Sequence, residues 1–279
     1  MKPNCCTKIG KLLIISVLII ILPGCFSTWK IKAQGVKGQV SAIDPQTIEV
    51  STPAPLFRDP IYDGVADPVL VWNPIKKVWS MFYTQRRAKL DLPGVEWCHG
   101  SEIGVAESDD FGFKKPDGKW RMWYKDEGNG SKTFAVESSD LENWKPVEDP
   151  GISKLYGEGP KTFRFKDHYW LIKDPNSGLD VYRSDDLETW TYQGKILDKP
   201  GTRNSDGTIG KHADVVVCGE KAYIIYFTHP YSEKAPAQNC ISPFSNRHTA
   251  LQAAELEVVD GKLFCDRDKP FRIRLDPPK

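Results

Sequence analysis

The chain has 279 residues with 38 basic against 37 acidic side chains, and no basic stretch runs beyond two or three residues. A nucleic-acid partner needs a basic face, and this charge pattern offers none. The length suits one large all-β domain or two small ones.

Lys2, Lys8 and Lys11 precede an apolar run, Leu12 to Leu22, that closes on Leu22-Pro23-Gly24-Cys25. A basic start, a short apolar stretch and small residues at its end describe a secretory signal. The run is too short for a bilayer core, which takes about 20 residues. Cys25 resembles the lipidated cysteine of a bacterial lipobox, although Pro23 is unusual inside one. A plain cleaved signal is the alternative. The expected organisation is a leader over 1–25, a tether over 26–35 and one domain over 36–279. The protein is then exported, with a lipid anchor as its only link to a membrane. Cys98, Cys218, Cys240 and Cys265 are widely spaced without a CxxC, so neither a zinc site nor a disulfide pairing is legible.

Helical periodicity is nearly absent, and a three-part unit recurs instead. Short apolar strands are expected over Asp67–Trp72, Glu158–Phe163 and His212–Val217. Each is followed by a turn rich in Asn, Asp, Gly and Lys. Aromatic strands come next, over Trp79–Tyr83, Trp120–Tyr124, Tyr169–Ile172 and Ala222–Phe227. Third strands are expected over Ile103–Ser108, Thr133–Ser138 and Gly178–Ser184, and two units close almost identically, at Ser139–Trp144 and Asp185–Trp190. Gly and Pro fall between strands in this reading, because strand interiors exclude them. Such a unit repeated every 40 to 55 residues is the signature of a β-propeller. Residues 38–50 alternate apolar and polar side chains and suit an outer strand that closes the ring. The recurrent tryptophans are read as packing residues and are given no functional role.

A polar residue opens each unit at a near-constant distance from the aromatic one. Asp67 precedes Trp79 by twelve residues and Glu158 precedes Trp170 by twelve; Asp109 precedes Trp120 by eleven and His212 precedes Tyr223 by eleven. The first strand of a propeller blade begins near the central axis, so equivalent starts aim their side chains at one point. Two carboxylates converging there are the apparatus of sugar-bond hydrolysis. Each has a plainer reading: Asp67 before Pro68 as a turn starter, Asp109 as a solvent turn beside Asp110, His212 as a satisfied core histidine. Glu158, set between Gly157 and Gly159, has no packing role to explain it.

Ala66-Asp67-Pro68, Gly157-Glu158-Gly159-Pro160 and Gly210-Lys211-His212-Ala213-Asp214 together resemble the motifs of glycoside hydrolase family 43, a family of five-bladed β-propellers. The resemblance covers about residues 60 to 275. It implies Asp67 as general base and Glu158 as general acid. Asp109, nine residues before Gly118, implies the aspartate that raises the acid's pKa by like-charge pressure. It implies His212 on the axis, holding water or a metal such as calcium, with no organic cofactor required. Arg86, Arg87, Trp97 and His99, past the strand boundaries of the first unit, are candidate sugar contacts or ordinary surface residues. The chain departs from the family in showing four units where the ring has five, and Asp67 and Asp109 stand a single period apart.

The expectation is an exported glycosidase that removes a terminal sugar by single displacement. A non-catalytic carbohydrate-binding propeller and a glycoside phosphorylase are the rivals, followed by a purely structural surface lipoprotein. The identity of the sugar and the oligomeric state are not legible.

Overall fold

The protein is described here by a computed structural model over residues 51–98, 113–114, 117–148, 151, 156–231, 238 and 241–276. The leader, the tether and the strand expected over 38–50 lie outside the described residues, as do Asp109, His99 and the strand expected over 103–108. The described part belongs to one compact unit, Val50–Lys279.

It is all-β, with four antiparallel sheets in chain order. The first pairs β1 (Val65–Asn73) with β2 (Val78–Gln85). The second is a meander of β3 (Phe113–Lys114), β4 (Trp120–Asp126), β5 (Lys132–Ser138) and β6 (Lys145–Pro146). The third runs β7 (Glu158–Phe165), β8 (His168–Asp174), β9 (Leu179–Ser184) and β10 (Thr191–Ile196). The fourth runs β11 (Lys211–Cys218), β12 (Lys221–Thr228), β13 (Ala250–Val259) and β14 (Lys262–Phe264). The apolar and aromatic strands expected from sequence fall within β1, β2, β4, β7, β8, β11 and β12. β3, β6, β10, β13 and β14 were not expected; β13, the longest of them, lacks the aromatic residues of the other units.

Apolar faces are buried between neighbouring sheets, both faces in the third and fourth sheets and one in the first and second among the described residues. One core joins the second and third sheets through Trp123, Leu171, Tyr182 and Leu187. Another joins the third and fourth through Trp170, Ile172, Ile224 and Tyr226. A third joins the fourth to the first through Val65, Tyr223, Ile225 and Leu251. Trp170 is fully buried and donates its indole N–H to Phe165 O at 2.9 Å, so its packing role stands; by area it contributes roughly 4 kcal/mol. Arg121, almost fully buried on β4, reaches across to Glu188 at 2.9 Å beyond β9 while also holding Glu137 at 2.5 Å. The two similar unit closures are one turn built twice. Asp140 and Asp186 each accept the N–H groups two and three residues on, and each accepts a serine hydroxyl at 2.9 Å.

The first strands lie side by side, with β11 packed between β1 and β7 and β4 against the far side of β7. Asp214 on β11 ties three of these elements: it accepts the Leu70 N–H of β1 at 2.8 Å and holds Lys161 Nζ of β7 at 2.5 Å. The rule that Gly and Pro stay between strands has exceptions here, inside strands that were themselves expected. Pro68 sits inside β1, and Gly159-Pro160 inside β7. They are tolerated because each strand is bulged there, with register shifts at Ala66/Val69 and at Glu158/Lys161. β11 carries the same device at Lys211/Ala213.

Candidate active site

The three bulges decide where the polar side chains point. A bulge inserts an unpaired residue, bends its strand and re-aims the neighbouring side chain. Asp67, Gly159 and His212 occupy the left-handed region at φ 49°, 53° and 21°. Glycine adopts that conformation freely, whereas aspartate and histidine there are held against a local preference. A Cβ on Gly159 would lie 3.4 Å from the His212 ring, an ordinary contact, so it is the backbone conformation that favours glycine here.

Asp67, Glu158 and His212, from three sheets, meet at one point. His212 Nδ1 lies 2.6 Å from Asp67 Oδ1, and His212 Nε2 lies 2.9 Å from Glu158 Oε2. The edge of Phe227 supports the imidazole, with ring centroids 6.0 Å apart at 74°. Two hydrogen bonds among three such groups require two protons. Either an imidazolium stands between two carboxylates, or a neutral imidazole stands beside one protonated carboxyl. Both states have the same net charge.

Two further residues, unnoticed in the sequence, complete the arrangement. Lys125 at the end of β4 donates to Glu158 Oε1 at 2.8 Å. Asp174, buried at the end of β8, is the cross-strand partner of Glu158 and accepts the His212 backbone N–H at 3.2 Å. A charge closing an aromatic strand is common, and nothing local set Lys125 apart. Asp174 offered a weak signal, an acid ending the apolar run Trp170-Leu171-Ile172 opposite Glu158.

Asp109, the aspartate expected to raise Glu158, lies outside the described residues, and the described neighbours act in the other direction. Burial pushes the Glu158 carboxyl up, but the Lys125 hydrogen bond and the charges of His212 and Lys125 outweigh it and hold the carboxyl below its ordinary value. Asp67 is likewise held low: burial opposes, while the bond and charge of His212, then Arg86 and Thr84, prevail. His212 is raised, because Asp67, Asp174 and Glu158 together overcome its desolvation. Like-charge pressure on Glu158 is therefore not the dominant effect among the described residues. The proton an acid would need lies on the His212–Glu158 contact, shared in a coupled pair.

Of the other candidates, Arg86 follows β2 and lies 3.8 Å from Asp67 Oδ2, with its guanidinium over Phe227 at 4.8 Å and over Trp97 at 5.8 Å. Trp97 thus reaches the cluster through Arg86. Arg87 turns away: its Nη2 donates to Glu96 O at 2.5 Å and its backbone N–H to Trp97 O at 2.8 Å, bracing the loop. The calcium expected near His212 does not fit the donors present. Calcium takes six to eight oxygen ligands, whereas His212 presents two nitrogens, each already facing a carboxylate. Among the described residues no group of three or more His, Cys, Asp or Glu side chains is arranged to hold a metal.

No family model matches the chain, and no curated protein is similar to it in sequence. Solved structures are. A thermostable family-43 glycoside hydrolase is 16% identical over 76% of this chain and 77% of its own, at a TM-score of 0.42. An endo-1,4-beta-xylanase from Bacteroides thetaiotaomicron VPI-5482 is 14% identical over 73% of this chain and 75% of its own, at a TM-score of 0.41. A xylan beta-1,4-xylosidase from Bacillus halodurans C-125 is 12% identical over 82% of this chain at a TM-score of 0.45, and the chain spans 49% of that enzyme. In structure, the chain is similar to family-43 glycoside hydrolases.

Proposed function

We propose that the chain is an O-glycosyl hydrolase of the five-bladed propeller type that removes a terminal sugar from a polysaccharide or oligosaccharide by single displacement. One observation carries this reading: bulges at the starts of three first strands bring Asp67 and Glu158 to the two sides of one small space. Inversion asks for a base and an acid separated widely enough for water and sugar, about 6.5–9.5 Å. Here one imidazole ring keeps the two carboxyls apart.

In this mechanism the sugar takes the place of the His212 ring. Asp67 accepts a proton from water as its oxygen attacks the anomeric carbon. The bond to the leaving oxygen breaks, and that oxygen takes the proton carried on the Glu158 side. After turnover Asp67 holds one proton too many and Glu158 one too few. His212, which touches both, returns it. The low setting of Glu158 by Lys125 favours a carbohydrate-binding protein without turnover as the second reading. Phosphorolysis is less favoured, because it asks for a cluster of cations, whereas Lys125 and Lys161 each face a carboxylate, Arg87 braces its loop and Arg86 alone is left beside Asp67.

The test is sugar release from a panel of aryl-glycosides and polysaccharides. Glu158→Gln and Asp67→Asn are each expected to lower kcat by about 10²–10⁴-fold, the usual range for a lost acid or base. Wild-type protein that is folded and retains sugar but releases none establishes the second reading.

A further inference from the structure

Among the described residues the buried arginines hold acceptors through their side chains, Arg247 with its Nε left over, and Arg86 differs in holding none. Arg121 holds Glu137, Glu188 and Leu187 O. Arg267 holds Asp206, Lys199 O, Thr208 O and Tyr226. Arg247 holds Leu90 O and Asp91. Arg86, whose side chain is only 16% exposed, lies between the Phe227 and Trp97 rings, and its side chain makes no hydrogen bond among the described residues. Its Nε is shut off from solvent without a partner. Its nearest acid, Asp67 at 3.8 Å, is beyond hydrogen-bonding distance and is already engaged by His212 and Thr84. Lys125 and Lys161, by contrast, meet Glu158 and Asp214 at 2.8 and 2.5 Å.

A half-desolvated guanidinium without acceptors is unfavourable, and native structures rarely leave one so. The backbone also fixes it in place. Arg86 N–H donates to Gly64 O at 2.8 Å, and any side chain at position 64 would strike Arg86 O. Two aromatic faces hold the fork flat beside the candidate base. What complements a planar fork of donors is a planar pair of negatively charged oxygens. Asp67 at 3.8 Å faces the charge but gives the fork no acceptor; a sugar hydroxyl supplies one, whereas a carboxylate supplies two in one plane.

We propose that the sugar held at this site carries a carboxylate, a uronic acid residue, and that Arg86 is the group that selects it. The inference rests on the glycosidase reading for its location, but binding alone tests it. The experiment is calorimetric titration of the full chain with D-glucuronic and D-galacturonic acid beside D-glucose and D-galactose, in wild type, Arg86→Lys and Arg86→Gln. At least one uronate is expected to bind the wild type ten-fold or more tighter than its neutral counterpart. That preference is expected to weaken with added sodium chloride, fall in Arg86→Lys and vanish in Arg86→Gln. Equal affinities, no binding of either uronate, or a preference that survives Arg86→Gln in folded protein overturns it. A sugar sulfate bound better than both uronates overturns the choice of a carboxylate. Failure here remains distinct from failure of catalysis. Arg86-dependent uronate binding without sugar release defeats the hydrolase alone, and cleavage of neutral glycosides with no uronate binding defeats this inference alone.

Discussion

Replacing His212 by glutamine tests the charge state on which the site depends. The imidazolium touches Asp67 and Glu158 at 2.6 and 2.9 Å. Hydrogen bonds to charged groups contribute about 1.5–3 kcal/mol each. The three side chains are 21–34% exposed, so screening places both contacts near the lower end. Glutamine keeps one neutral donor, worth about 1 kcal/mol. The variant should therefore lose roughly 2 kcal/mol where His212 is charged, or about 4–8 °C in Tm for a chain of this size. The pH window follows from the direction of the shift. His212 is raised by its acidic neighbours, so its stabilisation is complete below the unfolded-state value of about 6.5. It is lost as pH rises through the higher folded value. Asp67 and Glu158 are held low, so their contribution is present above their unfolded values of about 3.9 and 4.3 and persists at pH 5.5. His248 is shifted the opposite way, chiefly by burial, but it is common to both proteins and cancels in the difference. Scanning calorimetry at pH 5.5, 7 and 9 should show the gap between wild type and His212→Gln widest at pH 5.5 and closing by pH 9. A gap of constant size would mean that His212 carries no charge and would refute the imidazolium, leaving the neutral ring beside a protonated carboxyl.

Lys125→Met removes the cation that holds Glu158 low. If Glu158 is the acid, the alkaline limb of its pH–rate profile should move to higher pH, and an unmoved limb would assign the acid elsewhere. Gly159→Ala forces a side chain into φ 53° and toward the His212 ring; it should cost about 1–2 kcal/mol by thermal unfolding and lower kcat more than it changes KM. Arg121→Met breaks the buried link between the second and third sheets; a loss of about 3 kcal/mol is expected, with sugar binding unchanged in the protein that remains folded.

The strands were legible because two local signals coincide: alternation along each apolar strand and an aromatic residue at a steady distance from its start. β13 escaped because Ala250–Val259 has small residues where the other units have aromatics. The bulges were legible only as punctuation. Pro68 and Gly159-Pro160 stand inside expected strands against the rule for such residues, and nothing in one sequence identifies a bulge as the reason. The structure nonetheless brings Asp67, Glu158 and His212 together, because repeat register survives a bulge that β1, β7 and β11 share. Lys125 and Asp174 were invisible for a different reason. Each acts on the site from the second strand of a sheet, and contact between sheets leaves no spacing rule in the chain. The like-charge account of Glu158 rests on Asp109, outside the described residues; what the repeat starts could not show is Lys125, which holds the carboxyl low.

The convergence of acids has a structural requirement of its own. Asp67, Glu158, Asp174 and Asp214 all lie at or beside the first strands, and their mutual repulsion would spread the sheets unless cations intervened. Lys125, His212 and Lys161 do so, each from a different sheet than the acid it meets. The residues that give the site its chemistry are thus among those that hold neighbouring sheets together. Asp214 separates the two roles, since it anchors β1 and β7 without touching the His212 ring. Asp214→Asn keeps an acceptor for the Leu70 N–H but abandons the charge facing Lys161. Asp214→Ala abandons both. Breaking a buried ion pair costs about 3–5 kcal/mol, and the partly exposed Lys161 places the charge contribution at or below the lower end. A further loss of about 1 kcal/mol is expected for the alanine variant. If stability at the first strands is what positions the bulges, both variants should lose sugar affinity in proportion to their loss of Tm. Full affinity in a destabilised Asp214→Ala protein would show that each bulge is set by its own strand, and that the cations serve the chemistry alone.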